Sequence, residues 1–444
     1  MRWLTQIVLL IILITFLTVP VLGQTYNEAS GKTLGSEVIE FKDPPHLRLA
    51  STDSVNGKPL YDYFIYIKAK LNGVYDINGG IYGETFNVGA IPVWENDDQK
   101  RFWMDMHQSQ VRFRGQMETE HGTYTAYMEG DYWGGNKHFR LRHMWFEYKF
   151  AQLSENWAFV GHIGQDWSFF GDKEIWPNVF DWDGPSSGVW RREPELRFWF
   201  ENQKGWRLEF GAAQPGAELY FINDVDPTLE EAKQPLPDFI AAINKKYSRG
   251  HFRLTGIYRN LEYRKQGSNM SEPGYGISLS GYISTNQRMD NPIQFQLVAG
   301  TGIATYLVSY SGMNYDAVPD GSGRMKTIPT IGGWVSYEHW FSEKWHANVV
   351  AGFSNFKSEK ISRFDIVDSP GYTARNTSAQ LEAGYFLVNF MWNPIPSLTI
   401  GAEWNWGKRT NIYEGLIDTG SSVESKVEKS RSANRISFGA FFNF

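Results

Sequence analysis

The chain has 444 residues, and its 43 basic and 49 acidic side chains give a formal net charge of −6. Such a slightly acidic chain offers no basis for nucleic-acid binding, which requires a basic surface. The absence of cysteine excludes a lipidated amino terminus and any disulfide framework. Aromatic residues make up 16% of the chain, an excess that is typical of the aromatic girdles at membrane interfaces.

The amino-terminal segment has the features of an export signal. An arginine stands at the second position, an apolar run covers residues 7–17, and a small residue precedes Gln24. An uncleaved membrane anchor is the alternative, but the run ends at Pro20 and is short for a spanning helix of about 20 residues. We therefore expect a signal peptide at 1–23 and a polar periplasmic leader at 24–60.

Beyond the leader, the dominant signal has a period of two. Leu208 and Phe210 alternate with Arg207 and Glu209, and many segments of about ten residues behave in the same way. Because alternate side chains of a strand point to opposite faces, one face is apolar and the other is charged. Lipid outside and water inside explain this pattern. We predict an all-β fold, a closed transmembrane antiparallel β-barrel of about 16 strands over residues 61–444.

The linkers divide into short and long ones, as expected for periplasmic turns and extracellular loops. The predicted strands lie near 62–76, 104–117, 122–132, 138–150, 155–166, 193–202, 205–214, 237–247, 250–263, 273–285, 292–304, 329–341, 344–357, 376–393, 397–410 and 431–444. The long linkers, expected to be extracellular or folded inward, are 78–100, 166–193, 214–237, 306–326, 355–375 and 408–429.

The last strand carries a predicted membrane-insertion signal. Ile436, Phe438, Ala440, Phe442 and Phe444 alternate with mostly polar or small residues. A strand that closes on a terminal phenylalanine resembles the insertion signal of bacterial outer-membrane barrels, and Phe438, Phe442 and Phe444 would form it. We expect the barrel-assembly machinery to act on this signal and outer-membrane lipid of a Gram-negative bacterium to surround the barrel.

Arginines recur on the strand faces that the pattern places inside the barrel. Residues two apart share a face, so paired arginines would form rows on the pore wall. Such rows attract anions and make bidentate contacts with carboxylates. Alternatively, the arginines pair with wall carboxylates on neighbouring strands. The candidate pore-lining arginines of these strands are Arg112, Arg114, Arg140, Arg142, Arg207 and Arg253, and the wall carboxylates are Glu129, Asp131 and Glu147.

The segment 165–199 is the most distinctive part of the chain, because it is rich in tryptophan and flanked by charge. Long segments without regular structure are usually functional, so we expect it to fold into the lumen as a constriction. Arg191, Arg192 and Arg197 would then line its narrowest part. The alternative is an external loop that packs against a neighbouring subunit.

Several motifs between residues 104 and 200 belong to one pattern. They are residues 108–113 (QSQVRF), 129–134 (EGDYWG), 139–143 (FRLRH), 164–170 (GQDWSFF), 183–185 (DGP) and 192–197 (REPELR). This pattern resembles the DcaP-like outer-membrane porins. The resemblance implies a homotrimer of sixteen-stranded channels for small anionic solutes such as dicarboxylates, with Arg112, Arg114, Arg140, Arg142 and Arg197 along the solute path. Members often carry an amino-terminal coiled coil, but residues 24–60 show no heptads.

The sequence therefore predicts a passive porin for small hydrophilic, preferentially anionic solutes. A sugar-selective pore that uses aromatic stacking is one alternative, and an adhesion barrel that acts through its long loops is another. Neither a nucleophile elbow nor a zinc-protease helix is present, so we predict no enzyme activity. No cofactor and no metal site are expected, because the acidic turn at Asp181 and Asp183 lacks the remaining ligands of a calcium loop.

Overall fold

A computed structural model describes residues 47–81, 83–94, 98–150, 156–220, 228–286, 291–320, 322, 324–359, 361–365 and 373–443. Sixteen antiparallel strands form the wall. They are β1 (Tyr61–Asn78), β2 (Arg101–Asp105 and Gln110–Thr119), β3 (Gly122–Asp131), β4 (Arg140–Phe150), β5 (Trp157–Trp167), β6 (Arg192–Asn202), β7 (Trp206–Ala213), β8 (Asp238–Tyr247), β9 (Gly250–Lys265), β10 (Ser268–Ser284), β11 (Pro292–Thr301), β12 (Pro329–Trp340), β13 (Trp345–Lys357), β14 (Thr373–Ile395), β15 (Leu398–Asp418) and β16 (Val423–Asn443).

The wall closes on itself, which confirms the predicted barrel. β16 pairs with β1 in antiparallel register, with Phe438 opposite Gly73 and Asn443 opposite Lys68. Each other strand pairs with its neighbours in the chain. Closure satisfies the backbone hydrogen bonds of the first and last strands, which lipid could not replace.

The alternation along the strands sorts side chains between lipid and interior. On β7, Leu208 and Phe210 are exposed on the outer face, whereas Glu209 is buried on the inner face. On β16, Phe442 is exposed outward and Arg435 is buried inward. Within the described residues, no helix is long and apolar enough to cross a membrane.

Two differences from the predicted strands have physical explanations. The expected strand at 104–117 is interrupted at 106–109, where the carbonyl of His107 instead accepts a hydrogen bond from the amide of Tyr132. The expected long loop at 408–429 was wrong, because β15 and β16 continue through most of it and join in a short turn. The β16 part, residues 423–429, is almost entirely exposed, whereas β15 keeps a polar buried face with Arg409, Thr410 and Asn411. Where a strand is surrounded by water, or buries polar side chains, it needs no apolar face, so the apolar period of two disappears although the strand continues.

The part of the leader within the described residues contains short strands at Leu47–Ala50, Ser54–Val55 and Lys58–Pro59. The first pairs with the beginning of β1, and Arg48 donates hydrogen bonds to both carboxylate oxygens of Asp62 at 2.8 Å. Residues 1–46 and Phe444 lie outside the described residues. The signal peptide, most of the leader and the terminal phenylalanine therefore stay predictions.

Three of the segments between strands fold back into the barrel. They occupy residues 79–94, 168–191 and 302–328, and each contributes to one buried apolar cluster. Phe86, Phe170 and Leu307 represent the three segments in this cluster. The interior therefore holds a packed core of loop residues as well as the polar side chains of the wall.

Candidate functional site

The inner wall is chemically asymmetric. The predicted arginines all lie between β2 and β9, on one part of the circumference. The wall from β10 to β13 instead buries mainly neutral polar side chains, such as Ser280, Gln294, Gln296 and Asn348. A charged surface therefore faces a mostly uncharged one across the interior.

The inserted segment 168–191, which we call the constriction loop, lies against the neutral wall. The amide of Trp176 donates to Gln294 at 2.5 Å, and the amide of Val189 donates to Gln296 at 3.1 Å. These glutamines satisfy the backbone of a segment that has no regular secondary structure of its own. The loop is therefore fastened to strands far from its own ends in sequence, as expected of a segment that folds inward.

A second set of bonds fixes the tip of the constriction loop. Glu403 accepts hydrogen bonds from the amides of Phe180 and Asp181, both at 2.7 Å. The ammonium group of Lys70 donates to the carbonyl of Phe180 at 2.7 Å. Asp181 in turn accepts the Tyr385 hydroxyl at 3.0 Å. We call this set the tip latch.

Asp183 follows the tip latch and has unusual surroundings. Burial and the neighbouring Asp181 carboxylate raise the pKa of Asp183 to about 7. Burial also raises the pKa of Asp181, although the amide of Phe86 donates to it at 3.0 Å. Two adjacent carboxyl groups near the tip of the loop therefore take up protons more readily than ordinary aspartates.

Three rungs of side chains on β2, β3 and β4 lie beside this tip, where Trp182 is over Arg142. In the pairing of β2 with β3, Gln110, Arg112 and Arg114 stand opposite Asp131, Glu129 and Tyr127. Successive rungs are two residues apart, or about 6.8 Å along an antiparallel strand. They run from the extracellular end of β3 towards its periplasmic turn. We call them, together with Arg140 and Arg142 on β4, the arginine ladder.

The upper rungs of the ladder combine arginines with buried carboxylates. Arg140 donates to both oxygens of Asp131, at 3.0 and 2.8 Å. Arg142 bridges two carboxylates, at 2.5 Å to Glu129 and 2.9 Å to Asp131. Arg112 lies 3.2 Å from Glu129. This part of the wall therefore follows the pairing alternative, in which arginines and wall carboxylates neutralise each other.

Two predicted arginines lack such a partner. Among the described residues, neither Arg114 nor Arg192 forms an ion pair, and each instead lies over an aromatic ring. The Arg114 guanidinium is 5.8 Å from the centre of Phe64, and that of Arg192 is 5.3 Å from the centre of Trp167. The ladder and Arg192 together comprise five guanidinium groups and only two carboxylates, Glu129 and Asp131.

Exposure increases the positive character of this surface. The Arg140 side chain is 34% exposed, while its partner Asp131 is completely buried. Arg112 is 15% exposed against 6% for Glu129. The acids thus lie beneath the arginines, so that a solute in the interior meets guanidinium groups first.

A second basic group surrounds a small recess nearer the periplasmic turns, and Lys173, Arg197, Arg207 and Arg253 contribute to its lining. Arg253 pairs with the buried Glu209 at 2.5 Å, and Arg197 lies 3.3 Å from the same carboxylate. These two arginines are therefore compensated by a wall acid.

The loop also contributes an acid to this group. Burial alone would raise the pKa of Asp172, but His251 at 2.7 Å and the charge of Arg253 hold it well below the usual range. Asp172 therefore remains ionised over the whole physiological range of pH. It fastens the beginning of the constriction loop to β9.

The structure thus divides the predicted site residues into groups. Arg112, Arg114, Arg140, Arg142 and Arg192 come together with Glu129 and Asp131, and Arg197, Arg207 and Arg253 form the second group. Arg191 belongs to neither, since it pairs with Glu193 at 3.1 Å and donates to the carbonyl of Gly216. The sequence reasoning missed Lys70 and Lys173. Lys70 lies on the inward face of β1, and the period of two could have found it.

Aromatic side chains line the loop as well. Trp176 stands 5.7 Å from Trp167 and 4.0 Å from Trp190, measured between ring centres. Trp182 lies over Arg142, with 4.5 Å between the guanidinium carbon and the ring centre. The tryptophans that the sequence singled out therefore stand inside the barrel.

No family model matches this sequence. No curated protein sequence matches it either. Solved structures do match its fold. The outer-membrane channel DcaP of Acinetobacter baumannii has a TM-score of 0.64 at 16% identity, covering 89% of this chain and all of that one.

Two further structures are similar at lower scores. The anion-selective porin from Comamonas acidovorans has a TM-score of 0.51 at 9% identity, covering 86% of this chain and 100% of its own. The trimer form of OmpT from Vibrio cholerae has a TM-score of 0.50 at 8% identity, covering 86% and 99%. The chain therefore has the fold of the outer-membrane porins, and the resemblance to the DcaP channel extends over nearly the whole barrel.

Proposed function

We propose that this protein is an outer-membrane porin for the passive diffusion of small hydrophilic solutes, with a preference for anions such as dicarboxylates. The main support is that guanidinium groups outnumber carboxylates on the arginine ladder, beside the tip of the constriction loop. Arg114 and Arg192, which have no ion pair among the described residues, provide the uncompensated charge. A positive surface in a narrow lumen raises the local concentration of anions and lowers that of cations.

The path we propose runs between the ladder and the constriction loop. The loop is fastened to the opposite wall by Gln294 and Gln296 and meets the ladder at Trp182, which lies over Arg142, so the path would pass beside this contact. Planar carboxylates suit guanidinium groups because both oxygens can accept hydrogen bonds at once. Partly exposed arginines above buried acids would attract a solute without holding it permanently.

The test is single-channel recording of the purified protein in planar bilayers under a salt gradient. We expect a reversal potential that indicates anion preference, and a smaller preference in the double variant Arg114→Ala with Arg192→Ala. Arg324→Ala is the matched control, because the side chain of this arginine is 57% exposed and its carboxylate neighbour is Asp320 rather than an acid of the ladder. An absence of conductance would contradict the porin proposal, whereas cation preference would contradict only the anion proposal.

One observation favours a second candidate, a sugar-selective pore. Trp167, Trp176 and Trp190 form a row of neighbouring rings in the interior. Sugar rings stack on aromatic faces, so such a row could guide an uncharged solute. Liposome swelling separates the two candidates: faster entry of sugars than of dicarboxylates of equal size would favour the sugar pore.

We also propose a homotrimer in the outer membrane of a Gram-negative bacterium. The support is the porin fold, since one of the similar structures is itself a trimer form. The mass of the detergent-solubilised complex, measured by light scattering with the detergent contribution subtracted, tests this proposal. A mass of about 51 kDa would correspond to a single chain and would contradict it.

A further inference from the structure

We propose that His162, Asp166 and Glu195 form a binding site for one divalent transition-metal ion such as Zn²⁺. The three side chains lie on the inner wall where β5 and β6 pair. Glu195 stands opposite Gly164, midway between His162 and Asp166 along the neighbouring strand. The pairing therefore brings one imidazole and two carboxylates to one point, although they are separated by up to 33 positions in the chain.

These groups are buried without the hydrogen bonds that burial normally requires. The side chains of His162 and Glu195 are fully buried. Within the described part of the chain, neither ring nitrogen of His162 and neither oxygen of Glu195 has a hydrogen-bond partner. A buried polar atom without a hydrogen-bond partner destabilises the folded protein. The two ring nitrogens face opposite ways, and Nδ1 lies 3.8 Å from Glu147, so one ion can take only Nε2. Nε2 and the Glu195 carboxylate, unsatisfied and facing each other, indicate a missing ligand that they can share.

The distances suit a metal ion. Nε2 of His162 lies 3.7 Å from Oε1 of Glu195 and 3.8 Å from Oδ2 of Asp166, and one donor atom of each residue lies within 4.8 Å of the others. With bonds of about 2.0–2.2 Å, neighbouring ligand atoms of a tetrahedral zinc site are about 3.3–3.6 Å apart. Small side-chain movements would therefore close the site around an ion.

The ligand types favour a transition metal over calcium or magnesium. Imidazole together with carboxylate is a donor set of zinc and its neighbours, whereas calcium takes six to eight oxygen ligands. Three protein ligands leave a fourth position for water. The acidic turn at Asp181 and Asp183, considered above as a possible calcium loop, is not part of this site.

Lys173 of the constriction loop acts as a competing cation. Its ammonium group donates to Oδ2 of Asp166 at 2.9 Å, and its side chain is 20% exposed to the interior. Arg197 is more distant, with Nη1 at 3.6 Å from Oε1 of Glu195. A metal ion that takes Asp166 must therefore displace Lys173, which is flexible and can move towards water.

The experiment uses the full-length protein in detergent, stripped with a chelator and then titrated with Zn²⁺. Calorimetry gives the affinity, and elemental analysis gives the metal content. We expect about one ion per chain, and a loss of affinity of at least about tenfold in His162→Asn and in Glu195→Gln. Lys173→Met should bind Zn²⁺ more tightly than the natural protein, because the competing ammonium group is gone.

His107→Asn is the matched control. His107 belongs to the other group of potential ligands in the described residues, with Glu84 and Asp105, but its ring already bonds to Glu84 at 2.9 Å. This variant should bind as the natural protein does. Binding lost in His107→Asn and kept in Glu195→Gln would overturn the proposal, as would an absence of zinc from the natural protein. If Lys173→Met binds Zn²⁺ with the same affinity as the natural protein, Asp166 is not one of the ligands. Heat-dependent mobility in gels verifies that each variant is folded.

Discussion

At the scale of single residues, the arginines of the ladder have different functions although they look alike in the sequence. Arg142 is 4% exposed and neutralises both Glu129 and Asp131. Arg114 has an aromatic neighbour and no ion pair among the described residues. Stability should therefore depend on Arg142, and the electric field in the lumen should depend on Arg114.

This difference gives a prediction for stability. Arg142→Ala leaves two buried carboxylates short of a partner, so we expect it to lower the free energy of unfolding by about 3–5 kcal/mol. Arg114→Ala should change it by less than about 1 kcal/mol. Urea titration of the refolded barrel in lipid vesicles, followed by tryptophan fluorescence, measures both. Equal losses in the two variants would show that the pairing of Arg142 is not what stabilises the wall.

Asp183 gives a prediction for pH. Its folded pKa of about 7 lies above the ordinary value of 3.8, so the folded loop binds an extra proton between these limits. The stability of the tip latch should therefore fall as pH rises from about 4 towards 7, and should be lowest above 7. We expect more frequent opening fluctuations in single-channel records at pH 8 than at pH 5.

The variant Asp183→Asn tests the same prediction, because an amide cannot lose the proton. Its fluctuations should depend less on pH than those of the natural protein. Asp320→Asn is the control, since hydrogen bonds from Ser322 and Arg324 hold the pKa of this aspartate below its ordinary value. If Asp183→Asn responds to pH as strongly as the natural protein, another group is responsible for the pH response.

At the scale of elements, the constriction loop has few bonds of its own and depends on the wall. Replacing residues 175–187 by a short glycine-serine bridge removes the tip and its aromatic side chains. We expect a larger conductance and a weaker discrimination between solutes of different size. The control replaces residues 419–422, the turn between β15 and β16, and should leave conductance unchanged. An unchanged conductance in the loop variant would place the constriction elsewhere.

At the scale of the whole molecule, the barrel depends on an apolar outer face. Ile163 on β5 is 57% exposed, and its neighbours in the chain face the interior. An arginine at this position would face lipid, and we expect Ile163→Arg to lower the free energy of unfolding by about 2–4 kcal/mol if it lies near the membrane centre. Ile163→Ala is the control for lost apolar area. A loss no larger than that of the alanine variant would contradict the lipid-facing assignment.

Much of the barrel could be predicted from the sequence, because lipid imposes a local rule. Every strand within the membrane must alternate, so Leu208, Glu209 and Phe210 reveal their faces without knowledge of any partner. The rule ends where the membrane ends. The strands that enclose residues 408–429 bury polar side chains on β15 and are mostly exposed on β16, so they lack the apolar alternation and looked like a loop.

The positions of the arginines on the inner face also followed from the sequence, because spacing in a strand determines the face. Their partners did not follow. Whether Arg142 is neutralised and Arg114 is not depends on the register between β2, β3 and β4, which pairs residues far apart in the chain. A sequence pattern defines a face but not the strand that lies beside it.

The sequence by itself therefore determined the closed barrel and the sides of its wall, since the bilayer acts on each strand separately. Only the tertiary structure decided where the constriction loop lies, which arginines keep an uncompensated charge, and that His162, Asp166 and Glu195 meet. These features depend on contacts between distant segments. Hydrogen bonds such as those of Glu403 to the loop tip are satisfied only after the barrel has closed.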